Sequence, residues 1–156
     1  QDYGMPMAYH HHMGTIVQSQ NDTQRLIENT KETVKLLVDT GHMLFAGGDS
    51  LKVINDYSSR LLHVHCKDIR KNVLGTALKK DLSFIDAFFA GAFTVPGDGC
   101  IDYKPILELL KKINYNGWLV VEAEQDPKKA NPFEYGKIGY KYLSNLAKQS
   151  GYKIIH

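Results

Sequence analysis

The sequence predicts an α/β fold: four consecutive βα units with parallel strands, half of a (β/α)8 TIM barrel. Apolar runs of strand length alternate with stretches of helical spacing, the signature of a parallel sheet with right-handed crossovers. Each run ends in an imidazole or a carboxylate. An open doubly wound sheet gathers its ligand at one switch point, whereas a barrel brings all its strand ends around one mouth, and only the barrel gives every strand end a polar residue to place. A whole barrel takes about 250 residues, so 156 residues over one domain correspond to half of one.

The elements follow in order. The first strand is expected near residues 5–10, with Pro6 tolerable at its start. A helix near 22–32 buries Leu26 and Ile27 and takes Asn21 or Asp22 as its cap. The strand at 34–39 is apolar on both faces, as a parallel strand covered by helices must be. A glycine-bearing loop, 41–49, leads to a helix near 50–58, capped by Asp49 or Ser50, with Leu51, Ile54 and Tyr57 inward. The third strand is 61–66. Residues 67–100 show no strand-like run and are expected to be a long functional loop carrying a short helix at 81–89 and a turn at 97–99. Asp102 caps a helix to about 113 with Ile106, Leu109, Leu110 and Ile113 as its stripe, and the fourth strand is 118–122. Asn131 and Pro132 start the last helix as cap and N1 proline, with Ile138, Tyr142, Leu143 and Leu146 inward.

Composition narrows the function classes. A formal charge of +2 without a basic cluster argues against nucleic acid, and no apolar run approaches a membrane span. The start, Gln1-Asp2-Tyr3-Gly4, has neither the basic nor the apolar part of a signal peptide, and two cysteines suit a reducing, cytoplasmic setting, with Cys66 an inert buried thiol. The three adjacent histidines 10–12 end an apolar run and are too few and too internal for a purification tag.

At the strand ends stand His10 and His12, then Asp39 with His42, then His65 with Lys67 and Asp68, then Glu122 with Glu124. Singly, each has an ordinary structural explanation, such as a helix cap or a solvated charge. Together, four consecutive strands delivering metal-capable groups at one end point to a shared divalent-metal site. His11 is expected to point away from His10 and His12, and His63 is assigned to the opposite face of the sheet from His65.

The blocks His10-His11-His12-Met13-Gly14-Thr15, Asp39-Thr40-Gly41-His42, His63-Val64-His65-Cys66-Lys67-Asp68, Pro96-Gly97-Asp98-Gly99 and Glu122-Ala123-Glu124-Gln125-Asp126-Pro127 resemble the inosose dehydratase family of the xylose-isomerase-like TIM-barrel superfamily. The resemblance covers essentially the whole chain and corresponds to the C-terminal half of that barrel. It implies a metal held by Asp39, His65 and Glu122, with His10 at the position where other members carry a glutamate. The implied ion is Mn2+ or Co2+, with Zn2+ also suited to the mixed donors. The implied reaction is loss of water from 2-keto-myo-inositol, a small polyol ketone, to give a trihydroxycyclohexane-dione. Glu122 or Glu124 is nominated as base and His42 or Lys67 as proton donor, while His12, His42, Lys67 and Asp68 are the candidate substrate ligands. A sugar isomerase or ketose epimerase on the same scaffold, or an inactive half barrel, are the alternatives. A homo-oligomer could close the barrel, since a half barrel exposes two sheet edges.

Overall fold

The computed structural model describes residues 4–153. Residues 1–3, on which part of the reading of the chain's start falls, and the tail 154–156 lie outside the described residues. Four parallel strands form the main sheet: β1 (Met7–His10), β2 (Val34–Asp39), β3 (Leu61–Cys66) and, in fourth place, a strand from Leu119 to Val121. Each strand pairs with the next in sequence, with no reversal of order. That order is the barrel's rather than the doubly wound sheet's.

Between β1 and β2 runs α1 (Gln20–Glu28); its cap is Ser19, whose side chain accepts from the Asp22 amide while Asp22 bonds back to the Ser19 amide. Asp22 is therefore the third residue of a capping box, not the cap, and the helix starts and ends earlier than its composition suggests. The 41–49 stretch is mostly helical: α2 (Thr40–Phe45) follows β2 directly because the Asp39 side chain caps it. Next comes α3 (Ser50–Asp56), capped by Asp49.

The 67–100 segment is more structured than a loop. It holds β4 (Asp68–Ile69), α4 (Lys71–Lys79), α5 (Phe84–Phe89) and β5 (Phe93–Thr94), with β4 and β5 paired antiparallel. Its own small core joins Phe45, Ile69, Ala77, Ala87, Ala92 and Phe93. At its end Gly97 adopts φ +88°, and a Cβ there would lie 2.7 Å from the Tyr142 ring, so only glycine fits the turn. The chain finishes with α6 (Tyr103–Lys112), β6 (Leu119–Val121) and α7 (Pro132–Gln149), capped by Asp102 and Asn131 at the two helices.

Period two divides the sheet between two environments. Leu36, Val38, Val64 and Cys66 face the helices and pack with Val53, Ile54, Tyr103, Ile106, Leu110 and Leu143. Alternate residues face the other way and include His10, Asp39 and His65. His63 shares that face: its ring centroid is 5.2 Å from that of His65. The expectation of opposite faces fails because residues two apart in a strand point the same way. Ile138 in α7 is 44% exposed rather than inward; Gly139 is buried instead, letting the helix approach Val121 and Val95. Arg60 ties the lower edge by donating to the carbonyls of Val34 and Thr30.

Candidate metal centre

The strand ends place their polar residues in two adjoining groups. Asp39 ends β2 with both carboxylate oxygens committed to different tasks. Its Oδ1 accepts from the His42 amide at 2.9 Å and caps α2, while Oδ2 points into the site. The Asp39 amide in turn donates to His11 Nε2 at 3.1 Å. Around Oδ2 gather His10 Nε2 at 3.6 Å, His65 Nδ1 at 3.5 Å and Lys67 Nζ at 3.3 Å. Glu122, whose amide extends the β3–β6 ladder by donating to Cys66, brings its Oε2 to 2.7 Å from His65 Nδ1.

His10 Nε2, Asp39 Oδ2, His65 Nδ1 and Glu122 Oε2 are all buried and have no aligned hydrogen-bond partner. Ion pairs among them and with Lys67 offset part of the cost of burying these atoms, and a cation would satisfy them further. The His10, Asp39 and His65 donor atoms lie within 4.8 Å of one another. Two imidazole nitrogens and two carboxylate oxygens fit a divalent cation of borderline hardness.

The second group centres on Glu124. Its Oε1 lies 3.1 Å from His12 Nε2, and its Oε2 lies 3.2 Å from His42 Nε2 and 2.9 Å from Lys67 Nζ. Lys67 is fully buried and also reaches Glu122 at 3.4 Å, so its ammonium touches both groups. Its backbone is clamped from outside: the carbonyl accepts from the hydroxyls of Thr40 at 2.7 Å and Tyr103 at 2.9 Å. Phe84 from α5 and Phe93 from β5 wall the His42 ring at 5.9 and 5.3 Å between centroids. The 67–100 segment thus forms one side of the site.

The charges hold one another in place. Burial penalises the Asp39 carboxylate, yet His10, His65 and Lys67 outweigh it and keep Asp39 well below the usual carboxylate range. The same balance, with His42 and Lys67 as the opposing groups, pushes Glu124 down to about 2. His65 is raised to about 9 by Asp39 and Glu122. Burial lowers His42, and takes His11 to about 3. Lys67 is raised despite its burial, because Asp39, Glu122 and Glu124 favour its charge.

Of the residues singled out from sequence, His10, His12, Asp39, His42, His65, Lys67, Glu122 and Glu124 all meet here. Asp68 does not join them by any contact: its Oδ1 accepts from the amides of Ile69, Cys100 and Ile101 at 2.7, 2.9 and 2.9 Å, organising the chain after the 97–99 turn. Cys66 is buried with its thiol pushed up, as an inert core cysteine should be. The supporting residues His11, Thr40 and Tyr103 were given no role from sequence. Thr40 lies inside a noted block, whereas Tyr103 carries no pattern that distinguishes it from a core tyrosine.

Residues 1–138 match the profile of the family described as xylose isomerase-like TIM barrel. The chain belongs to that family. Within it, the chain is 49% identical over 153 residues to the rhizopine catabolism protein MocC of Rhizobium meliloti, covering 98% of this chain and 47% of that protein. It is 49% identical over 144 residues to the inosose dehydratase of Clostridium beijerinckii, covering 92% and 48%. The chain therefore spans about half the length of the curated relatives it matches. Among solved structures, the IolI protein with a bound zinc atom superposes with a TM-score of 0.70 at 18% identity, over 98% of this chain and 52% of that one. At that identity the likeness concerns the fold.

Proposed function

We propose that this chain supplies the metal-binding and proton-transferring face of an inosose dehydratase, acting on 2-keto-myo-inositol to give a trihydroxycyclohexane-1,2-dione. The observation that carries the reading is the convergence of four buried, metal-capable atoms from β1, β2, β3 and the end of β6, none with an aligned hydrogen-bond partner, in a chain with about half-identical relatives of that name. His10, Asp39, His65 and Glu122 would hold the ion, Mn2+ or Co2+, with Zn2+ suited to the same donors. A bound divalent ion supplies Lewis acidity toward the ketone and its neighbouring hydroxyl.

The chain's own groups handle the protons. Dehydration removes a proton from carbon and a hydroxide from the adjacent carbon, so one base and one acid are required. Glu124, held near 2 by the His42 hydrogen bond and Lys67, is a weak base at neutral pH, which leaves Glu122, the other nominated carboxylate, to take the carbon-bound proton. Lys67 carries a proton at neutral pH and His42, lowered by burial, does not. Lys67 therefore donates to the departing hydroxide while Glu124 and His42 fix its ammonium. His12 and His42, against the Phe84 ring, form the wall that faces the polyol. Asp68 keeps to the turn it organises.

Both outer strands of the described sheet, β1 and β6, have one unpaired edge. A second copy of the chain would close the ring by pairing with them, and light scattering reads this directly as a dimer mass. Cys66 and Cys100 are free thiols, in keeping with a reducing cytoplasmic setting. Among the described residues no helix is long and apolar enough to cross a membrane.

The deciding experiment incubates the 156-residue chain with Mn2+ or Co2+ and 2-keto-myo-inositol and follows the dione's absorbance. Dione formation that disappears in Glu122→Gln supports the reading. Ketose interconversion without loss of water would assign an isomerase or epimerase instead, and a metal-loaded dimer without either activity would reject an enzymatic role.

A further inference from the structure

The second group has a feature that proton transfer does not explain. His12 Nδ1 donates to the Met13 carbonyl at 2.7 Å, which fixes the ring so that Nε2 is turned into the site. There Nε2 faces Glu124 Oε1 at 3.1 Å. A backbone carbonyl behind one ring nitrogen is how proteins fix the tautomer of a metal-binding histidine. His42 also turns Nε2 to the site, but from the other side of the hydrogen bond: its Nδ1 accepts from the Met13 amide at 3.4 Å. The rings of His12 and His42 lie 3.7 Å apart between centroids, and their donor atoms and that of Glu124 fall within 4.8 Å of one another. Two imidazoles and a carboxylate make a cation cage in their own right.

Lys67 stands in that cage. Its Nζ is 2.9 Å from both His42 Nε2 and Glu124 Oε2, on the side of the group that borders Asp39 and Glu122. We propose that His12, His42 and Glu124 form a second divalent-cation site whose place is taken by the Lys67 ammonium, so that the charge at position 67 sets how many ions the chain binds. Charge balance supports this. Asp39, Glu122 and Glu124 carry three negative charges, which one divalent ion and one ammonium neutralise. Without the ammonium, one ion leaves the partly buried Glu124 carboxylate uncompensated, a costly state that a second cation relieves. The expected count of one in the unaltered chain rests on the proposed first site at His10, Asp39, His65 and Glu122; the gain at position 67 does not.

The test is a Co2+ titration followed by its visible absorption, with cobalt counted by elemental analysis after gel filtration. The unaltered chain, Lys67→Met, Lys67→Gln, Lys67→Arg and the double variant Lys67→Met/Glu124→Gln are compared. Lys67→Met and Lys67→Gln are expected to bind one more Co2+ per chain than the unaltered protein. Lys67→Arg, which keeps the charge, and the double variant are expected to return to the unaltered count. Equal counts in the unaltered, Met and Gln chains, or an extra ion that survives Glu124→Gln, overturn the inference. If the unaltered chain binds none and Lys67→Met binds one that needs Glu124, the second site stands and the proposed first site fails. If Lys67→Met does not fold, Lys67→Gln decides, its amide being closer to the polarity of the buried pocket; should it too lose its structure, the unaltered chain binding two ions at saturation would itself refute the blocking role of Lys67, and one ion whose absorption is unmoved by Glu124→Gln would uphold it.

Discussion

A Cβ placed on Gly41 would lie 2.7 Å from Cγ and 3.0 Å from Cβ of Lys67. The contact involves the root of the lysine side chain, not its flexible tip, so Lys67 must leave its path before residue 41 can be larger. Gly41→Ala is therefore expected to fold, since helix propensity favours alanine, yet to displace the ammonium from Glu124 and His42. The proposed dehydration is expected to fall by about 100-fold, on the scale of removing one acid–base group. Wild-type turnover in Gly41→Ala, measured at saturating metal, would show that Lys67's position is immaterial.

His11 carries no ligand atom to the cluster but accepts the Asp39 amide, fixing the carboxylate from behind. His11→Ala is expected to weaken divalent-metal affinity by roughly 10–100-fold, the usual effect of losing an orienting partner. Calorimetric titration of Co2+ checks it, with the thermal melt of the metal-free chain as control for folding.

The pH dependence follows from His65, raised to about 9 from an ordinary value of 6.5 by the carboxylates of Asp39 and Glu122. Because the folded value is the higher one, the protonated ring's contribution to metal-free stability is complete below 6.5 and is lost as pH rises through about 9. A metal ion needs the neutral ring, so binding displaces that proton. Affinity for Co2+ is expected to rise about tenfold per pH unit between 6.5 and 9, the slope of one displaced proton. Titrations in buffers of different ionisation enthalpy count it, and a slope of zero would place His65 outside the ligand set.

Tyr103 is wholly buried, and its hydroxyl contacts the Lys67 carbonyl at 2.9 Å and Thr40 Oγ1 at 2.8 Å. Tyr103→Phe is expected to cost about 1–2 kcal/mol by urea unfolding, the loss of a buried hydrogen bond. It leaves the ring's packing with Ile106 and Leu110 in place.

Much of the architecture was legible because β2 and β3 each carry an apolar run that ends abruptly in polar groups. What escaped is what period cannot report. The helix from Thr40 to Phe45 owes its start to Asp39, and its glycine reads as a loop; α4 exposes most of its length and buries Ala77 alone. Strands of two residues, as in β4 and β5, have no alternation to detect. The donors were legible as residue types at strand ends. The support behind them was not, since His11 meets a backbone amide and Tyr103 a backbone carbonyl, partners without a sequence signature. The opposite face expected for His63 runs against the period itself, since residues 63 and 65 are two apart in β3 and share a face.

The candidate ligands come one from each of the four parallel strands, or from the residue just past the last, and no two neighbours in sequence supply them. Such a site cannot assemble before the sheet does. A bound ion would therefore stabilise the sheet as a whole, and a chelator should lower its melting temperature in a single transition, with no local fraying of any one strand ahead of the others.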